Sequence, residues 1–470
     1  MQNKKTMRFS LNSLRMKYFT SIMSKKASLL FALLATVFSL QAQDIVIKGK
    51  ITDAKTKEPL PYVLLRVAGT MSGTQTNHDG MYNLKLSKEQ ADKKIVLNFA
   101  GYRTDTIEVS KLRKQRNVTM SKLSITLASV TVSDYNKPSK LMEEVVRRIP
   151  DNYWCDTMIG TFFFRHYGLT DDSLWLFCEA ISDVMRPGYD IQYIQPLFDY
   201  SNFDSISLAG NHKRYPLSRL LVYDTLMLKE ILGDSNYKEN IFVGETQTKY
   251  NDAFIFNDML QKTKGFKWTK GKGGKKLDRH SKLSIMNEGN SESYYLITEV
   301  TEKDSTALII NKSDKALIHY YKTTLCPDTL KLFYPLNRLV GGMWYTYSRE
   351  QYDYAKVGGR YTLTFSMKGS SIGILPPEKA RVVGRKMNSK LREVLTNDEF
   401  EEYEMWTLTD FRKMEPDFLK SAIRKGVKYK YHDIFSKGDA DESFWQSYNT
   451  VPLESRIAEK LEAALKKDKR

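Results

Sequence analysis

The chain has 470 residues, 73 of them Lys or Arg and 55 Asp or Glu, for a formal net charge of +18. Three cysteines, Cys155, Cys178 and Cys326, exclude a disulfide-built scaffold, since at most one bridge forms and one thiol is left over. The length excludes a single small module and suits two or three domains with cores of their own.

The first forty-two residues are set aside before any fold reasoning. Lys25-Lys26 precede the apolar run from Ala27 to Phe38, which ends at Ser39-Leu40-Gln41-Ala42. That is the pattern of a secretory signal with a small residue at the cut, Ala42/Gln43, so 1–42 is expected to be a signal peptide. The run falls short of the ~20 apolar residues a spanning helix needs. Its charged lead-in is long, so Met16 and Met23 stand beside Met1 as candidate starts. No Cys follows the cut, which argues against a lipid anchor, and no later segment is long and apolar enough to span a bilayer as a helix. Segment 1–42 holds seven of the basic residues and none of the acidic ones, leaving +11 on the rest. The expected setting is exported, in the periplasm or associated with the outer membrane. There a basic protein meets anionic lipid headgroups and glycans, not nucleic acid. Ordinary solubilising charge is the plainer reading of the excess.

Residues 44–133 read as short strands with period-two apolar spacing, broken by turns that need Gly, Pro, Asn and Asp. Gly49 to Asp53 starts a strand and leaves it at a turn. Pro59 and Pro61 hold the chain extended. Asn77-His78-Asp79-Gly80 is a tight turn into Tyr82–Leu86, with Gly80 where a left-handed residue is wanted. Later strands fall at Lys94–Phe99, Thr106–Val109, Asn117–Met120 and Ser129–Val132. The pattern Gly49-x-Ile51-x-Asp53, the Pro59/Pro61 pair, Thr76 to Tyr82 and Ala100-Gly101-Tyr102 together resemble the carboxypeptidase regulatory-like domain. The resemblance implies a transthyretin-like β-sandwich of about seven strands, common in envelope proteins of Bacteroidota. Near the other end, Ser443 to Glu454 (SFWQSYNTVPLE) resembles a closing motif of a subgroup that carries this sandwich and a single second domain.

A polar stretch, 134–139, is expected to be a linker. Lys140 to Ile149 has Leu141, Val145, Val146 and Ile149 at helical spacing, with a stop at Pro150. The hairpin Met158–Tyr167 and Ser173–Val184 follows, turning at Gly168–Asp172. Pro187 to Asn257 is irregular and aromatic-rich. Strands return at Ser293–Val300, Thr306–Ile310, Lys315–Lys322, Met343–Tyr354, Arg360–Lys368 and Glu402–Leu408. Leu453 to Lys467 is a helix with Ile457, Leu461 and Leu465 on one face. The expected fold is mainly β with α: the sandwich, then an α+β domain over 140–435 with a large twisted antiparallel sheet covered by helices. A C-terminal helical segment, 436–470, ends it.

The chemistry-bearing patterns are sparse. None of the six histidines (His78, His166, His212, His280, His319, His432) has a Glu three residues on, and no pair has the i, i+4 spacing of a helical zinc site. In true carboxypeptidases the resembling sandwich is an accessory beside the catalytic domain, and nothing in this chain resembles that domain. Gly369-Ser370-Ser371-Ile372-Gly373 has one Gly in the wrong place for a nucleophile elbow. No catalytic, cofactor-binding or metal-ligating residue is therefore assigned. Cys178, in an apolar strand, reads as a buried inert thiol. The strongest charge feature is the basic, Gly-rich loop Lys262 to Lys282. Its Gly spacing does not fit a phosphate-binding Walker loop. Lys264, Lys267, Trp268, Lys270, Lys272, Lys275 and Lys276 are its candidate contacts with an anionic lipid or glycan surface, against the plainer reading of a solvated hairpin tip. Tyr345, Tyr347, Tyr352 and Tyr354 line either a binding face or the half-buried side of a sheet.

These readings favour a non-enzymatic envelope protein that binds or assembles at the periplasmic side of the outer membrane, partnered by an envelope protein or an anionic surface. A plug and 22-stranded barrel do not fit in the residues after 139. A lipid- or lipoprotein-carrier with an apolar cavity, prompted by the hairpin Tyr294–Lys322, is one alternative. A hydrolase whose residues converge only in space is the other.

Overall fold

The structure is a computed structural model. It describes residues 45–127, 135, 137–156, 158–169, 174–186, 189, 212–218, 271–290, 292–325, 342–375, 399–413 and 442–468. The expected signal segment 1–42 and the strand at Ser129–Val132 lie outside them.

Seven strands build the N-terminal body: β1 (Ile45–Asp53), β2 (Leu64–Val67), β3 (Gly73–Gln75), β4 (Met81–Leu86), β5 (Lys94–Asn98), β6 (Asp105–Glu108) and β7 (Val118–Met120). One sheet has the order β4-β1-β7, the other β3-β2-β5-β6. Period two explains the core. In β1, Ile47, Gly49, Ile51 and Asp53 turn inward while Val46 and Lys48 face out. Ile47, Ile51, Leu65, Leu84, Ile95 and Leu97 fill the space between the sheets, each contributing about 1.5–3 kcal/mol by leaving water. Gly80 has φ +74, and a Cβ there would sit 2.6 Å from the Ile51 carbonyl oxygen, so only glycine closes this turn. The Asp53 carboxylate ends β1 by accepting the N–H groups of Lys55 and Thr56 at 2.7 and 2.9 Å. Helix α1 (Val109–Lys114) follows β6 and buries Val109 and Leu112. Two apolar residues three apart are too few to show a helical period, so only a strand was legible there.

The chain then leaves the sandwich earlier than its sequence suggests. Strand β8 (Ile125–Leu127) pairs antiparallel with β12 (Ser281–Met286) at one end of an eleven-stranded sheet. The span 44–133 thus contributes main chain to both bodies. The other strands are β9 (Met158–Leu169), β10 (Leu174–Arg186), β11 (His212–Ser218), β13 (Tyr294–Val300), β14 (Asp304–Asn311), β15 (Leu317–Leu325), β16 (Gly342–Val357), β17 (Arg360–Leu375) and β18 (Glu399–Lys413). Their order is β11-β10-β9-β18-β17-β16-β15-β14-β13-β12-β8, and every neighbouring pair is antiparallel. Most neighbours are successive hairpins. Two pairs are not: β18, the last described strand, returns to lie against β9, and β8 lies against β12. The chain is mostly β.

Both faces of this sheet are buried. One carries Ile285, Tyr295, Ile297, Leu308, Tyr352, Phe162, Phe164 and Trp406, packed with Leu141, Met142 and Val145 of α2 (Pro138–Arg147) and Ile149 of α3 (Ile149–Asn152). Pro150 does not stop the helical run as expected. It sits in the first turn of α3, where a missing N–H is tolerated. Nor is 134–139 a free linker. Pro138 and Ser139 are buried in the first turn of α2, and the Tyr135 ring stands edge-on to Tyr295 at 5.9 Å. Bulges keep the helix-facing side apolar: the register shift between Leu408 and Asp410 brings Phe411 onto the same face as Leu408.

The opposite face meets the sandwich and the C-terminal segment. Met286 and Ile309 pack on Leu123 of the sandwich. Tyr62 stacks on Phe365 at 5.1 Å, beside Ile457 and Leu461. The described part of 436–470 is α5 (Glu442–Ser447), an extended crossing over 448–454, and α6 (Ser455–Asp468). Ile457 and Leu461 are buried as their spacing predicts, and the side chain of Leu465 lies outside the described residues.

Candidate functional site

A set of specific polar contacts converges where sandwich, sheet and closing segment meet. The segment 448–454 has no sheet partner, so its backbone groups need side chains. Asn449 supplies a two-way clip: its Oδ1 accepts from Lys85 N–H at 2.7 Å and its Nδ2 donates to the Lys85 carbonyl at 2.8 Å. The Lys85 ammonium donates to the carbonyls of Trp445 and Tyr448, both at 2.9 Å. Asn77, in the turn that names the sandwich, donates to the Leu453 carbonyl at 3.0 Å. Asp79 of the same turn accepts Ser455 N–H at 3.1 Å, satisfying a first-turn donor of α6.

From the sheet side, Arg165 on β9 does the matching work. Its Nε and Nη2 hold Glu179 of β10 at 2.7 and 2.5 Å. Its Nη1 reaches the Pro452 carbonyl at 3.1 Å, and Nη2 also donates to Val451. Arg165 is 1% exposed and Glu179 0%. A guanidinium and a carboxylate withdrawn this far are retained only when paired and hydrogen-bonded. Arg165 was legible as a charge inside the run FFFRHYG, and Glu179 as one inside LFCEAI. Two charged residues on neighbouring apolar strands were the available signal of a buried pair.

The helix-facing side of the same strands carries the ionisable cluster. His166 on β9 faces Glu402 and Glu404 on β18. His166 Nε2 lies 2.6 Å from Glu402 Oε1, and Glu404 Oε1 accepts the Trp406 indole N–H at 2.6 Å. Burial raises the Glu404 carboxyl to about 7, opposed by the His166 charge and the Trp406 bond. Burial alone would lower His166, but the hydrogen bond and charge of Glu402 outweigh it and leave its pKa raised. For Glu402 the order is reversed: burial raises, and the bond and charge of His166 prevail and lower it. A carboxyl that holds a proton near neutrality beside an imidazole is competent to take up and release that proton. A second pair, His319 with Asp353, lies half-buried on the sandwich-facing side, where Gln351 also donates to Asp353 at 2.8 Å. Among the described residues, no group of three or more His, Cys, Asp or Glu is placed to hold a metal ion. Cys155 is half-buried, with its Sγ 3.6 Å from the Tyr153 carbonyl. The side chain of Cys178, and Cys326 altogether, lie outside the described residues.

Of the candidate anionic-surface contacts, Lys264, Lys267, Trp268 and Lys270 lie outside the described residues, as does the side chain of Lys272. Lys275 and Lys276 are exposed. They sit on a helix and not on the expected loop: α4 (Gly271–His280). Its glycines disfavour a helix in isolation, and tertiary contacts override that preference. Leu277 is buried against the α2 core. Asp278 accepts Ser139 N–H at 2.9 Å and Ser139 Oγ–H at 2.8 Å, so α4 caps the first turn of α2. Of the tyrosine row, Tyr352 and Tyr354 are core residues. Tyr347 is half-buried beside Arg349, whose guanidinium lies 5.6 Å from its ring centre. The side chain of Tyr345 is outside the described residues.

Comparison with curated proteins and with solved structures gives no match. Residues 47–132 match the family profile described as the CarboxypepD_reg-like domain. That span holds all seven sandwich strands except the first two residues of β1, together with the Asn77 and Asp79 turn that grips the closing segment. This part of the chain is a carboxypeptidase regulatory-like domain.

Proposed function

We propose that the protein is a non-catalytic component of the cell envelope, exported to the periplasmic side of the outer membrane, where it binds or assembles with an envelope protein or an anionic surface. In this reading the sandwich is the docking module and the second unit is an α+β domain whose long antiparallel sheet is backed by helices. The single observation that carries it is the use made of the closing segment. Its conspicuous residues, and the motif turn of the sandwich, are spent on joining the two bodies: Asn449 to Lys85, Asn77 to Leu453, Arg165 to Val451 and Pro452. Residues committed to holding parts of a chain together suit a scaffold. The exposed Lys275 and Lys276 of α4 offer the basic contact.

The hydrolase reading rests on one specific observation, the His166–Glu402–Glu404 cluster. It requires substrate access to His166, which is 5% exposed. The carrier reading requires an apolar cavity behind Tyr294–Lys322. There, Tyr295, Ile297, Leu308, Ile310 and Tyr320 are packed directly against α2 and α4 residues, which weighs against it.

The deciding experiment is gentle-detergent purification of the tagged protein from its own envelope fraction after mild crosslinking. Recovery of a defined envelope partner, with full retention of that partner in His166→Ala, is the expected result. A protein recovered alone, with His166-dependent cleavage of an ester or glycan substrate, overturns the proposal. Replacing Lys267, Lys270, Lys272, Lys275 and Lys276 by Gln tests the anionic contact separately: unchanged binding to anionic vesicles removes it.

A further inference from the structure

The side of the long sheet that meets the sandwich is not covered along its whole length. Met286 and Ile309 lie under Leu123, Phe365 lies under Tyr62, and Met367 and Met405 cluster with Ile457 and Leu461 of α6. Past these contacts, pairing register sets Val300, Ser305, Thr323, Arg349, Gly369 and Tyr403 in one line across β13 to β18. The next line holds Leu325, Tyr347, Ser371 and Glu401. Gly369 and Tyr403 stand two residues from Met367 and Met405, so both lines share the sandwich-side face. Val300 is 73% exposed and Leu325 49%. Tyr347, Arg349, Glu401 and Tyr403 are half-buried.

Two opposite charges on this face lack partners. Arg349 stands between the rings of Tyr321 and Tyr347, 5.8 and 5.6 Å from their centres. Its in-line neighbours are Thr323 and Gly369, and Gly369 lies under the Tyr403 ring, where a Cβ would come within 2.6 Å. Arg349 Nε is closed to water without an acceptor, a state that neither terminal nitrogen shares. The outer edge of the guanidinium is therefore the part left for a carboxylate. Glu401 has Ser371 and Leu169 as in-line neighbours. Neither Arg349 nor Glu401 forms an ion pair with a described residue.

The four residues are corners of one rectangle: Arg349 and Glu401 on one diagonal, Tyr347 and Tyr403 on the other. Two strand spacings and two residues separate the charges, about 12 Å along the sheet. A two-fold axis lying in the interface along the tyrosine diagonal sets each Arg349 against the Glu401 of another copy, and each tyrosine against itself. Tyr and Arg are also the residues that anchor protein interfaces. We propose that this face is a homodimer interface, its occupant a second copy of this chain, held by two reciprocal Arg349–Glu401 pairs around Tyr347 and Tyr403. The inference rests on sheet register and not on the envelope reading.

The test is the mass of the full chain in solution, by light scattering over a dilution series. It compares the wild type, Arg349→Glu, Glu401→Arg and an equal mixture of the two variants. The wild type is expected at twice the mass of one chain. Each reversal sets like charge against like at both pairs and is expected to weaken the dimer by about a hundredfold or more. In the mixture each variant supplies what the other lacks, and the dimer returns. Circular dichroism checks that the variants fold. If one does not, hydroxyl-radical labelling of the wild type decides: oxidation of Tyr347 and Tyr403 must fall as the protein is concentrated. A monomeric wild type, single reversals that still dimerise, a mixture that stays monomeric, or labelling indifferent to concentration overturns the proposal.

Discussion

On the helix side of the long sheet, the contacts are ring against aliphatic chain: Tyr295, Ile297 and Leu308 under Leu141, Met142 and Val145. On the sandwich side, the same strands meet their neighbours through named donors and acceptors, with Arg165 and Asn449 at the centre. Apolar burial is non-directional and indifferent to small shifts. Hydrogen bonds to main-chain groups specify one register, and leaving one unmade costs more than making it gains. The helix side therefore supplies bulk stability, and the sandwich side supplies uniqueness of docking. Within the sandwich side, two guanidiniums are withdrawn from water, Arg165 fully partnered and Arg66 without any acceptor on two nitrogens.

The strongest way to break this contrast is Arg165→Ala. It leaves Glu179 charged and buried and strips donors from Val451 and Pro452. A loss of about 3–5 kcal/mol is expected in urea unfolding followed by tryptophan fluorescence, with the double variant Arg165→Met/Glu179→Leu recovering most of it. A single-variant loss below about 1 kcal/mol would show that the pair does not hold the joint.

That pair also marks the limit of what the sequence disclosed. The sandwich was legible because its turns need particular backbone conformations: Gly80 has the positive φ that its place in Asn77–Gly80 demands. The long hairpins were legible because β9, β10, β16 and β17 alternate over many residues. Among the elements that escaped, three did so for separate physical reasons. Strand β8 has three residues and takes its meaning from a partner far along the chain, Ser284 to Met286. Strand β12 starts at the end of the Lys262 to Lys282 run, which was read as charge, and no strand was assigned to its remaining residues. Helix α4 has glycines that argue against a helix, and it forms because Asp278 and Leu277 find partners on α2. The site was legible least. Arg165 and Glu179 stand out as charges inside apolar runs, but the main chain that Arg165 meets, at Val451 and Pro452, arrives from the far end of the chain.

The next test sharpens the helix side, where one polar intrusion runs against the apolar rule. Glu404 is held near 7 by burial, against an ordinary 4.5. The folded state therefore binds its proton more tightly than the unfolded chain. Stability is undiminished below pH 4.5, falls as pH rises through 7, and is lower by roughly 3 kcal/mol above that. His166, whose pKa is also raised, adds a loss in the same direction. Glu404→Gln keeps an acceptor for the Trp406 N–H and carries no charge. It is expected to be more stable than the wild type by up to roughly 3 kcal/mol at pH 8, with the advantage gone near pH 4.5. A constant difference across that range, by chemical denaturation, would refute the assignment.

A milder probe of the sandwich side is Asn449→Ala, which removes both bonds to the Lys85 backbone. The site is half-buried, so water partly replaces the lost partners and the expected cost is about 1–2 kcal/mol. Asn449→Asp keeps the acceptor for Lys85 N–H but cannot donate to its carbonyl, and is expected to cost more than half as much. Hydrogen exchange at Lys85 should speed up in both variants. If it rises equally across the helix-side strands, the two faces are not distinct in the way proposed.

The smallest effect on stability is expected where neither kind of contact is made. Lys275 and Lys276 project from α4 into solvent, while Leu277 is buried against α2 and Asp278 caps it. Replacing both by Gln removes no packing and no capping bond, so stability should change by less than about 0.5 kcal/mol. Function separates from fold here. If α4 faces an anionic surface, each lysine contributes about 1 kcal/mol of attraction near it. The double variant then binds anionic vesicles roughly thirtyfold more weakly, and added salt narrows the gap. Asp278→Ala makes the converse case. It should loosen the first turn of α2 through Ser139 and lower stability, while leaving the charge that a surface would feel no less positive. Vesicle affinity that follows stability across these variants, instead of following charge, would assign the helix to the packing of the sheet alone.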